Sequence, residues 1–490
     1  MKPNIPPQSA VDLLMRKFRL GQYGEVETGA ARLTEQYPTF VLGFKLLAAA
    51  ASRNNRLAVA LDAYESWILL TPADPVCHYN AGLIKERQGD AEGAISRYRR
   101  AIELRPDFSE ALNNLGLLLR KTKQLSEALP ILERNAELNP DSASASYNLG
   151  NTQADAGELD SAAASFRNAL KIDPVHAEAN LNLGNILKDR GDSDQALLHY
   201  QSAIALKPSL TVANCNIGII FYERGQYEKA IPYLQQDDSL NARTYLLRCY
   251  FSLGQSDQFF KLLDNLNNEN LTNASIGSLI SRAEIRFGCK IENSFANLPA
   301  ELIAKVPLGT LIDFEGEVVK PISALMSARL PSEMEQKLLI NGSQTAGNLF
   351  ATGLPVMDYL ESLIRTQIDT YRDAHKHSGE GFIDTWRGGY SLKSWMVRIK
   401  SGGSLAPHIH ENGWLGGAVY IRVPKNYGSD DGNFAVCSGE RTPEGAWTEA
   451  KVIDVQQGDL VLFPASLMHY TIPFHSDQER VVLAFDVIRD

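Results

Sequence analysis

Three histidines in the C-terminal part of the chain have the spacing of a metal site. His408 and His410 stand two residues apart in an extended segment, where alternate side chains point to the same side and can share one ion. His469 follows about sixty residues later. Three ligands on one face of an ion leave coordination positions open for a substrate and dioxygen. The pattern therefore predicts a catalytic metal site formed by His408, His410 and His469.

The segments around these histidines predict the fold that positions them. Short apolar runs, separated by Gly, Pro and Asp turns, are typical of β-strands. They occupy residues 394–400, 417–423, 433–436, 450–454, 458–463 and 480–487. Helices are expected at residues 331–340 and 353–374. This combination favours a β-sandwich or barrel of the jelly-roll type, in which distant strands lie side by side and bring His469 to the other two histidines.

The first half of the chain is an internal repeat with a period of 34 residues. Three registers keep this interval: a proline, a glycine, and an alanine followed four residues later by a bulky side chain. The prolines are Pro38, Pro72, Pro106, Pro140, Pro174 and Pro208, and the glycines are Gly82, Gly116, Gly150, Gly184 and Gly218. A period maintained in three registers indicates stacked helix-turn-helix units, because one unit alone cannot bury its apolar face.

These registers resemble the tetratricopeptide repeat, with Leu-Gly in the first helix, Ala-x-x-x-aromatic in the second and a terminal Pro. Gly89 and three later glycines mark the turn between the helices, whereas Lys123 departs from that pattern. We expect an all-α tetratricopeptide solenoid over residues 1–240, degenerate capping helices and a linker over 241–294, and a jelly-roll (double-stranded β-helix) domain with flanking helices over 295–490.

A fourth register places an asparagine two residues before each repeat glycine, where helix propensity does not favour it. The asparagines are Asn80, Asn114, Asn148, Asn182 and Asn216. Side-chain amides offer donors and an acceptor, so a ladder of them could hold the backbone of a protein or peptide in the groove of the solenoid. The Asn-Leu-Gly runs resemble those in the solenoid of O-linked N-acetylglucosamine transferase. Alternatively, these amides only bond neighbouring helices of the array.

Composition restricts the class of protein. At 490 residues the chain is too long for one hydrophobic core, so at least two domains are expected. The net charge of −10 argues against nucleic acid as a partner, since phosphate binding needs a basic face. The five cysteines are far apart and form no C-x-x-C pair, which favours a reducing compartment.

The sequence shows no sign of a secretory signal or of a membrane span. Residues 1–8 contain three prolines and no apolar core of a secretory signal. No run approaches the roughly 18 apolar residues of a membrane span. We therefore expect a cytoplasmic protein with no membrane partner.

Three segments of the second half resemble the Fe(II)- and 2-oxoglutarate-dependent oxygenases, in particular a bacterial group often fused to tetratricopeptide repeats. The segments are residues 402–424, 463–474 and 479–486, and Thr345-Ala-Gly-Asn-Leu-Phe350 resembles the N-terminal part of the same group. The resemblance implies a dioxygenase that uses Fe(II) and 2-oxoglutarate to hydroxylate a substrate. The solenoid suggests that this substrate is a protein or peptide.

The resemblance also implies individual roles. His408 matches the first metal ligand, His469 the last, and Arg480 the basic residue that binds the distal carboxylate of 2-oxoglutarate. Arginine suits this role because its planar fork binds a carboxylate through two hydrogen bonds. Tyr420 and Ser466 are further candidates for the lining of the cosubstrate pocket.

The chain departs from this family at the second ligand, where His410 replaces the usual Asp or Glu. Either three histidines hold the iron, or His410 is turned away and water completes the site. Glu411 could supply a carboxylate, but it has the wrong parity on a strand.

Two other interpretations stay open. Gly402-x5-His-x-His and Gly458-x5-Pro fit parts of the cupin motifs, although the expected glutamate is missing and Pro473 stands where an asparagine is expected. A cupin-type metal enzyme would use no 2-oxoglutarate. The chain could also be a scaffold whose repeats recruit partners and whose barrel is catalytically silent.

Overall fold

The structure is a computed structural model that describes residues 6–328, 333–334, 336–424, 430–437, 447 and 450–489. The chain divides into two compact units, residues 1–217 and 218–490. Part of the N-terminal segment that argued against a secretory signal, residues 1–5, lies outside the described residues. Within the described residues no helix is both long and apolar enough to span a bilayer.

The first unit consists of helices joined by short turns, as the 34-residue period predicts. Its helices are α1 (Gln8–Arg19), α2 (Tyr23–Gln36), α3 (Val41–Arg53), α4 (Leu57–Leu70), α5 (Pro75–Arg87), α6 (Ala91–Leu104), α7 (Ser109–Lys121), α8 (Leu125–Leu138), α9 (Ala143–Asp155), α10 (Leu159–Ile172), α11 (Ala177–Asp189), α12 (Ser193–Leu206) and the first part of α13 (Thr211–Glu223). These helices confirm the prediction of a tetratricopeptide solenoid.

The repeat glycines lie where paired helices approach most closely. A Cβ atom at Gly150 would lie 2.8 Å from the Phe166 ring, and one at Gly82 would lie 2.6 Å from the Tyr98 ring. Both distances are shorter than carbon atoms tolerate, so the glycine leaves room for the bulky residue sixteen positions later. The repeat glycine of the first helix and the bulky residue of the second helix therefore pack directly against each other.

The turn within each helix pair uses a left-handed backbone conformation. Gly157 has φ 81°, a region that favours glycine. Lys123 has φ 63°, so the turn is the same where the sequence lacks glycine.

The second unit begins with helices and continues as a sheet with flanking helices. After the end of α13, its helices are α14 (Tyr227–Leu234), α15 (Leu240–Leu253), α16 (Ser256–Asn268), α17 (Ala274–Phe287), α18 (Lys320–Ala328), α19 (Pro355–His375) and α20 (Gly381–Asp384). Helices α15 to α17 lie in the segment predicted to contain capping helices. Helix α19 confirms the helix expected at residues 353–374.

One antiparallel sheet forms the rest of this unit. Its strands are β1 (Ala304–Pro307), β2 (Glu333–Met334), β3 (Leu339–Thr345), β4 (Tyr390–His408), β5 (Leu415–Arg422), β6 (Phe434–Cys437), β7 (Lys451–Ile453), β8 (Asp459–Pro464), β9 (Met468–Thr471) and β10 (Arg480–Arg489). The order is β1-β8-β5-β10-β4-β9-β6-β7, with β3 on β4 and β2 on β3. This half-barrel is compatible with a jelly-roll and contains all six strands expected from the sequence.

The prediction of a helix at residues 331–340 is wrong. Among its described residues, 333–334 form β2, and the last two belong to β3, which pairs with β4. Residues 331, 332 and 335 lie outside the described residues. Strand pairing overrides the helical preference of the Met-Glu-Gln-Lys-Leu-Leu sequence here.

Alternation along the strands separates a helix-covered face from a cavity face. On β10, Leu483 and Phe485 belong to a buried core that also contains Leu360 and Ile364 of α19. The intervening residues of β10 line a cavity on the other face. The core of this unit therefore fixes which side chains point to the cavity.

Candidate metal centre

His408 and His469 lie opposite each other on paired strands. Strand β4 pairs with β10 over residues 390–399 and reaches β9 with its last residues, where His408 is the partner of His469. Between these two parts, the pairing of β4 with β3 shifts register between Ile399 and Ser404, around Gly402 and Gly403. Gly402 has φ 74°, and a Cβ at Gly403 would lie 2.6 Å from the Ile340 carbonyl oxygen. The glycine pair thus allows the strand to bend and to carry His408 to His469.

His410 lies just beyond the end of β4 but faces the same cavity. Its backbone N–H donates to the carbonyl of Ala465, and its own carbonyl accepts from the N–H of Gly413. The ring centroid of His410 is 5.5 Å from that of His408 and 4.8 Å from that of His469. The structure therefore brings together the three histidines that the sequence singled out.

The three imidazoles present one nitrogen each to a common point. One ring nitrogen from each lies within 4.8 Å of the others. The Nδ1 atoms of His408 and His469 lie 2.9 and 3.0 Å from the carbonyl oxygens of Ala406 and Leu467, and Nδ1 of His410 is bonded to the carboxylate of Asp486. Since these oxygens accept, each Nδ1 carries a proton, and Nε2 is the nitrogen left to face a ligand. Histidine ligands of metals are commonly held in this way.

The surroundings keep two of the rings neutral. Burial, and then the neighbouring His410, lower the pKa of His408 to about 4. Burial lowers the pKa of His469 well below its ordinary value, and the other two histidines act in the same direction. A metal ligand must be a neutral imidazole, so the donor set fits a metal ion.

Asp486 is a site residue that the sequence pattern did not single out. It lies on the cavity face of β10, with 14% of its side chain exposed, and accepts the His410 hydrogen bond. Asp486 is the acidic residue of the otherwise apolar run Val481–Val487. An ionisable group in an apolar strand is a signal that could have identified it as a site residue. The Asp486 carboxylate therefore lies behind His410, one hydrogen bond away from its ring.

Glu411 does not join the histidines. Its carboxylate lies 2.6 Å from the guanidinium of Arg248 on α15, and it is not among the residues whose ligand atoms cluster. This position agrees with the strand-parity argument against Glu411 as a ligand.

Arg480 lies in the same cavity as the three histidines. The cavity has a volume of about 520 Å³ and is also lined by Tyr420 and Asp486. Arg480 is 3% exposed, its guanidinium carbon lies 5.1 Å from the centre of the Tyr420 ring, and its Nε has no partner among the described residues. Burial lowers the pKa of Arg480 and raises that of Tyr420 to about 12. The cavity therefore contains a buried cation whose hydrogen bonds are incomplete.

The structure does not bring Ser466 to this pocket. Ser466 is buried and its hydroxyl has no partner among the described residues, but it lines another cavity together with Leu467 and Met468. It precedes His469 by three residues, in the turn before β9, and is not among the residues that line the triad cavity.

The asparagine register forms hydrogen bonds between neighbouring repeats. Asn148 donates to Asn113 at 2.9 Å, Asn182 to Asn151 at 2.7 Å and Asn216 to Asn185 at 2.9 Å. Asn114 donates to the Tyr79 hydroxyl at 3.2 Å. These contacts support the structural alternative for the register. Asn80 and Asn114 also line a groove of about 740 Å³ in the first unit.

Two family profiles match the chain. Residues 393–486 match the family described as "Putative 2OG-Fe(II) oxygenase", which includes all three histidines and Arg480. Residues 79–143, 124–174 and 147–211 match the tetratricopeptide repeat. A comparison with curated protein sequences finds no significant match.

Solved structures similar to part of the chain are repeat proteins. YrrB, described as a TPR protein with an unusual peptide-binding site, is 26% identical, with a TM-score of 0.35 over 38% of this chain and 95% of its own. MamA from Desulfovibrio magneticus RS-1 is 25% identical, with a TM-score of 0.33 over 35% and 96%. PilF of Pseudomonas aeruginosa is 19% identical, with a TM-score of 0.35 over 41% and 91%. By the family matches, residues 79–211 of the chain are tetratricopeptide repeats, and residues 393–486 match a putative 2OG-Fe(II) oxygenase domain.

Proposed function

We propose that the chain is an Fe(II)- and 2-oxoglutarate-dependent dioxygenase that hydroxylates a protein or peptide. The observation that supports this most is the convergence of three imidazoles and a buried arginine in one cavity. A metal ion and a dicarboxylate are the two partners that such a pair of subsites would take. The family match over residues 393–486 agrees with this proposal.

In this proposal, His408, His410 and His469 would hold the iron, with Nε2 as the nitrogen that each ring offers. The carbonyl groups of Ala406 and Leu467 and the carboxylate of Asp486 fix the orientation of the rings through Nδ1. A neutral three-histidine set lacks the negative charge of the usual carboxylate ligand. The Asp486 carboxylate would supply this negative charge through its hydrogen bond to His410. The same bond would make the His410 imidazole a stronger electron-pair donor to the metal.

Arg480 would bind the distal carboxylate of 2-oxoglutarate. A buried cation is costly unless an anion compensates it, and 2-oxoglutarate would complete the hydrogen bonds of the guanidinium. The Tyr420 ring beneath the guanidinium stabilises its charge and holds its plane in position.

When bound, Fe(II) supplies the redox chemistry by which dioxygen converts 2-oxoglutarate to succinate and carbon dioxide while a C–H bond of the substrate becomes an alcohol. The chain itself orients the reactants and excludes water. Between Arg480 and Asp486 the cavity face of β10 contributes Val482 and Ala484, and Phe463 closes the cavity from β8. These apolar side chains keep solvent away from the site.

We propose that the repeats recruit the substrate. Asn80, Asn114, Asn148, Asn182 and Asn216 remain the candidate peptide contacts of this proposal. An asparagine amide has two donor hydrogens and an acceptor oxygen, so Asn148 and Asn216, for which one bond to a neighbouring repeat is seen, keep capacity for a peptide. A cytoplasmic location stays a prediction.

Succinate formation tests the proposed activity. The full chain with Fe(II), 2-oxoglutarate and air is expected to form succinate slowly even without substrate, and His469→Ala is expected to abolish this reaction. His377→Ala is the matched control, because that histidine is exposed in the turn after α19. Succinate formation that persists in His469→Ala would contradict the proposal.

A cupin-type enzyme without 2-oxoglutarate is the second candidate. The observation that favours it is the all-histidine donor set, which also suits Zn²⁺. Metal binding by the triad without any binding of 2-oxoglutarate would support this candidate, and loss of both would support the scaffold interpretation.

A further inference from the structure

A second cleft adjoins the triad cavity within the second unit. Its volume is about 420 Å³, and it shares Gln336, His408, Ile409 and Glu411 with the triad cavity. Helices α15 and α17 form its other wall. A molecule in this cleft, which we call the helical cleft, would therefore extend to the metal site past His408.

Arg248 is the best-fixed polar group of the helical cleft. Its Nη2 donates to Glu411 at 2.6 Å and to the Ser275 hydroxyl at 2.8 Å, and its guanidinium carbon lies 4.8 Å from the centre of the Tyr245 ring. Its side chain is 13% exposed. These contacts hold the guanidinium in one orientation at the wall of the cleft.

Arg282 contributes a second guanidinium to the same wall. Its guanidinium carbon lies 4.7 Å from the centre of the Phe251 ring, and both residues line the cleft. A guanidinium can stack on an aromatic ring and donate hydrogen bonds from its edge at the same time. Among the described residues that line the cleft, the one carboxylate is that of Glu411.

Glu411 is placed to be exchanged for another carboxylate. Its side chain is 49% exposed, and ion pairs with an exposed partner contribute little to stability. Arg248 keeps its bond to Ser275 and its contact with Tyr245 when Glu411 swings outward. The guanidinium is therefore pre-organised for a carboxylate that arrives from the cleft.

We propose that the helical cleft binds an acidic side chain of the peptide substrate, with Arg248 exchanging Glu411 for the substrate carboxylate. This inference rests on the proposed oxygenase function, since it assigns the neighbouring substrate residue to the triad cavity. Arg248 is a specificity-determining residue in this account, and Glu411 is an internal competitor.

Peptide binding to the metal-free full chain tests the inference separately from catalysis. The probe is a fluorescein-labelled peptide of alternating Glu and Ser, compared with the same peptide carrying Gln in place of Glu, and fluorescence anisotropy measures the affinity. We expect the Glu peptide to bind more tightly than the Gln peptide. Arg248→Met is expected to lower the affinity for the Glu peptide by about tenfold, the usual effect of losing a charge-assisted hydrogen bond.

Two further variants make the test independent of whether Arg248→Met folds. Glu411→Gln removes the competitor and is expected to strengthen binding of the Glu peptide by a few fold. Arg286→Met is the matched control, because Arg286 lies over the same Phe251 ring at 4.8 Å but does not line the cleft. It is expected to leave the affinity unchanged.

Equal affinity for the two peptides, or no gain of affinity in Glu411→Gln, would overturn the inference. If instead the peptide results hold but no succinate forms, the cleft assignment stands as a binding site and the proposed oxygenase function fails. The two failures are therefore distinguishable.

Discussion

The carboxylate of Asp486 accepts a hydrogen bond from Nδ1 of His410, across the cavity from the paired His408 and His469. This contact places a proton on Nδ1 of His410, because the carboxylate accepts there, and it leaves Nε2 as the nitrogen that can face a ligand. The centroid of the His410 ring lies 5.5 Å from that of His408 and 4.8 Å from that of His469, which supports the proposal that all three histidines hold the iron.

Replacing Asp486 should weaken the metal site without removing a ligand. In Asp486→Asn the amide can no longer bear the charge that supports His410, so Fe(II) affinity is expected to fall by about 10- to 100-fold. The measurement is competition with a chelator under anaerobic conditions. Asp454→Asn is the control, because Asp454 is exposed and does not line the cavity. An unchanged affinity in Asp486→Asn would show that His410 does not bind the metal.

Replacing Arg480 should weaken the binding of 2-oxoglutarate without lowering the stability of the free chain. Arg480→Met removes the proposed partner of the distal carboxylate, so 2-oxoglutarate binding is expected to weaken by about 2 kcal/mol or more, about 30-fold in Kd. Arg480→Lys should retain part of the affinity, because an ammonium cannot bind a carboxylate through a planar fork. The melting temperature of the free Arg480→Met chain should not fall, since the variant removes a buried cation with incomplete hydrogen bonds.

Arg489→Met is the matched control for this prediction, because Arg489 lies on the same strand but is exposed. Calorimetric titration with Mn(II) as an inactive substitute for iron measures the binding. An Arg480→Met chain that binds 2-oxoglutarate as tightly as the native chain would place the carboxylate elsewhere.

Two glycine-to-alanine changes in the repeats should change the free energy of unfolding in opposite directions. Gly150→Ala places a Cβ 2.8 Å from Phe166, and overpacking of this kind costs about 1–3 kcal/mol. Gly24→Ala meets nothing within 4 Å and should stabilise helix α2 by about 0.4–1 kcal/mol. Thermal unfolding of both variants, followed by circular dichroism, measures the difference. A Gly150→Ala chain as stable as Gly24→Ala would contradict the close approach of the paired helices.

Acid should destabilise the metal-free chain through His408. An unfolded histidine binds a proton near its ordinary pKa of about 6.5, whereas the folded pKa is lowered to about 4. Below about pH 6.5 the unfolded chain therefore takes up a proton that the folded chain does not. The contribution to stability is complete above that pH and decreases as the pH falls toward about 4.

Urea unfolding at about pH 7.5 and about pH 5 measures this effect, with His408→Gln as the comparison. The native chain should lose more stability between the two conditions than the variant. An equal loss in both chains would mean that His408 titrates normally in the folded state.

The sequence was sufficient to predict elements whose signal is local. His408 and His410 could be identified from their residue type and spacing, His469 from the jelly-roll arrangement and the family resemblance, and the repeats because three registers agree. Strand β9 was missed, because four residues with a histidine and a tyrosine carry little alternation.

Long-range register explains what the sequence could not predict. Asp486 meets His410 only because β10 lies beside β4 and β5, and no spacing rule relates residues 76 positions apart. Ser466 is close to His469 in sequence, but the turn before β9 directs it into another cavity. The segment at residues 336–340 has a helical composition, and pairing with β4 decides its structure.

Anaerobic titration with Fe(II) and then 2-oxoglutarate tests the central claim most directly. The native chain is expected to develop the visible metal-to-ligand charge-transfer band that arises when 2-oxoglutarate chelates protein-bound iron. His408→Ala, His410→Ala and His469→Ala should each lose or strongly weaken the band, and His377→Ala should retain it. Absence of the band in the native chain, or an undiminished band in His410→Ala, would contradict the account of a three-histidine iron site.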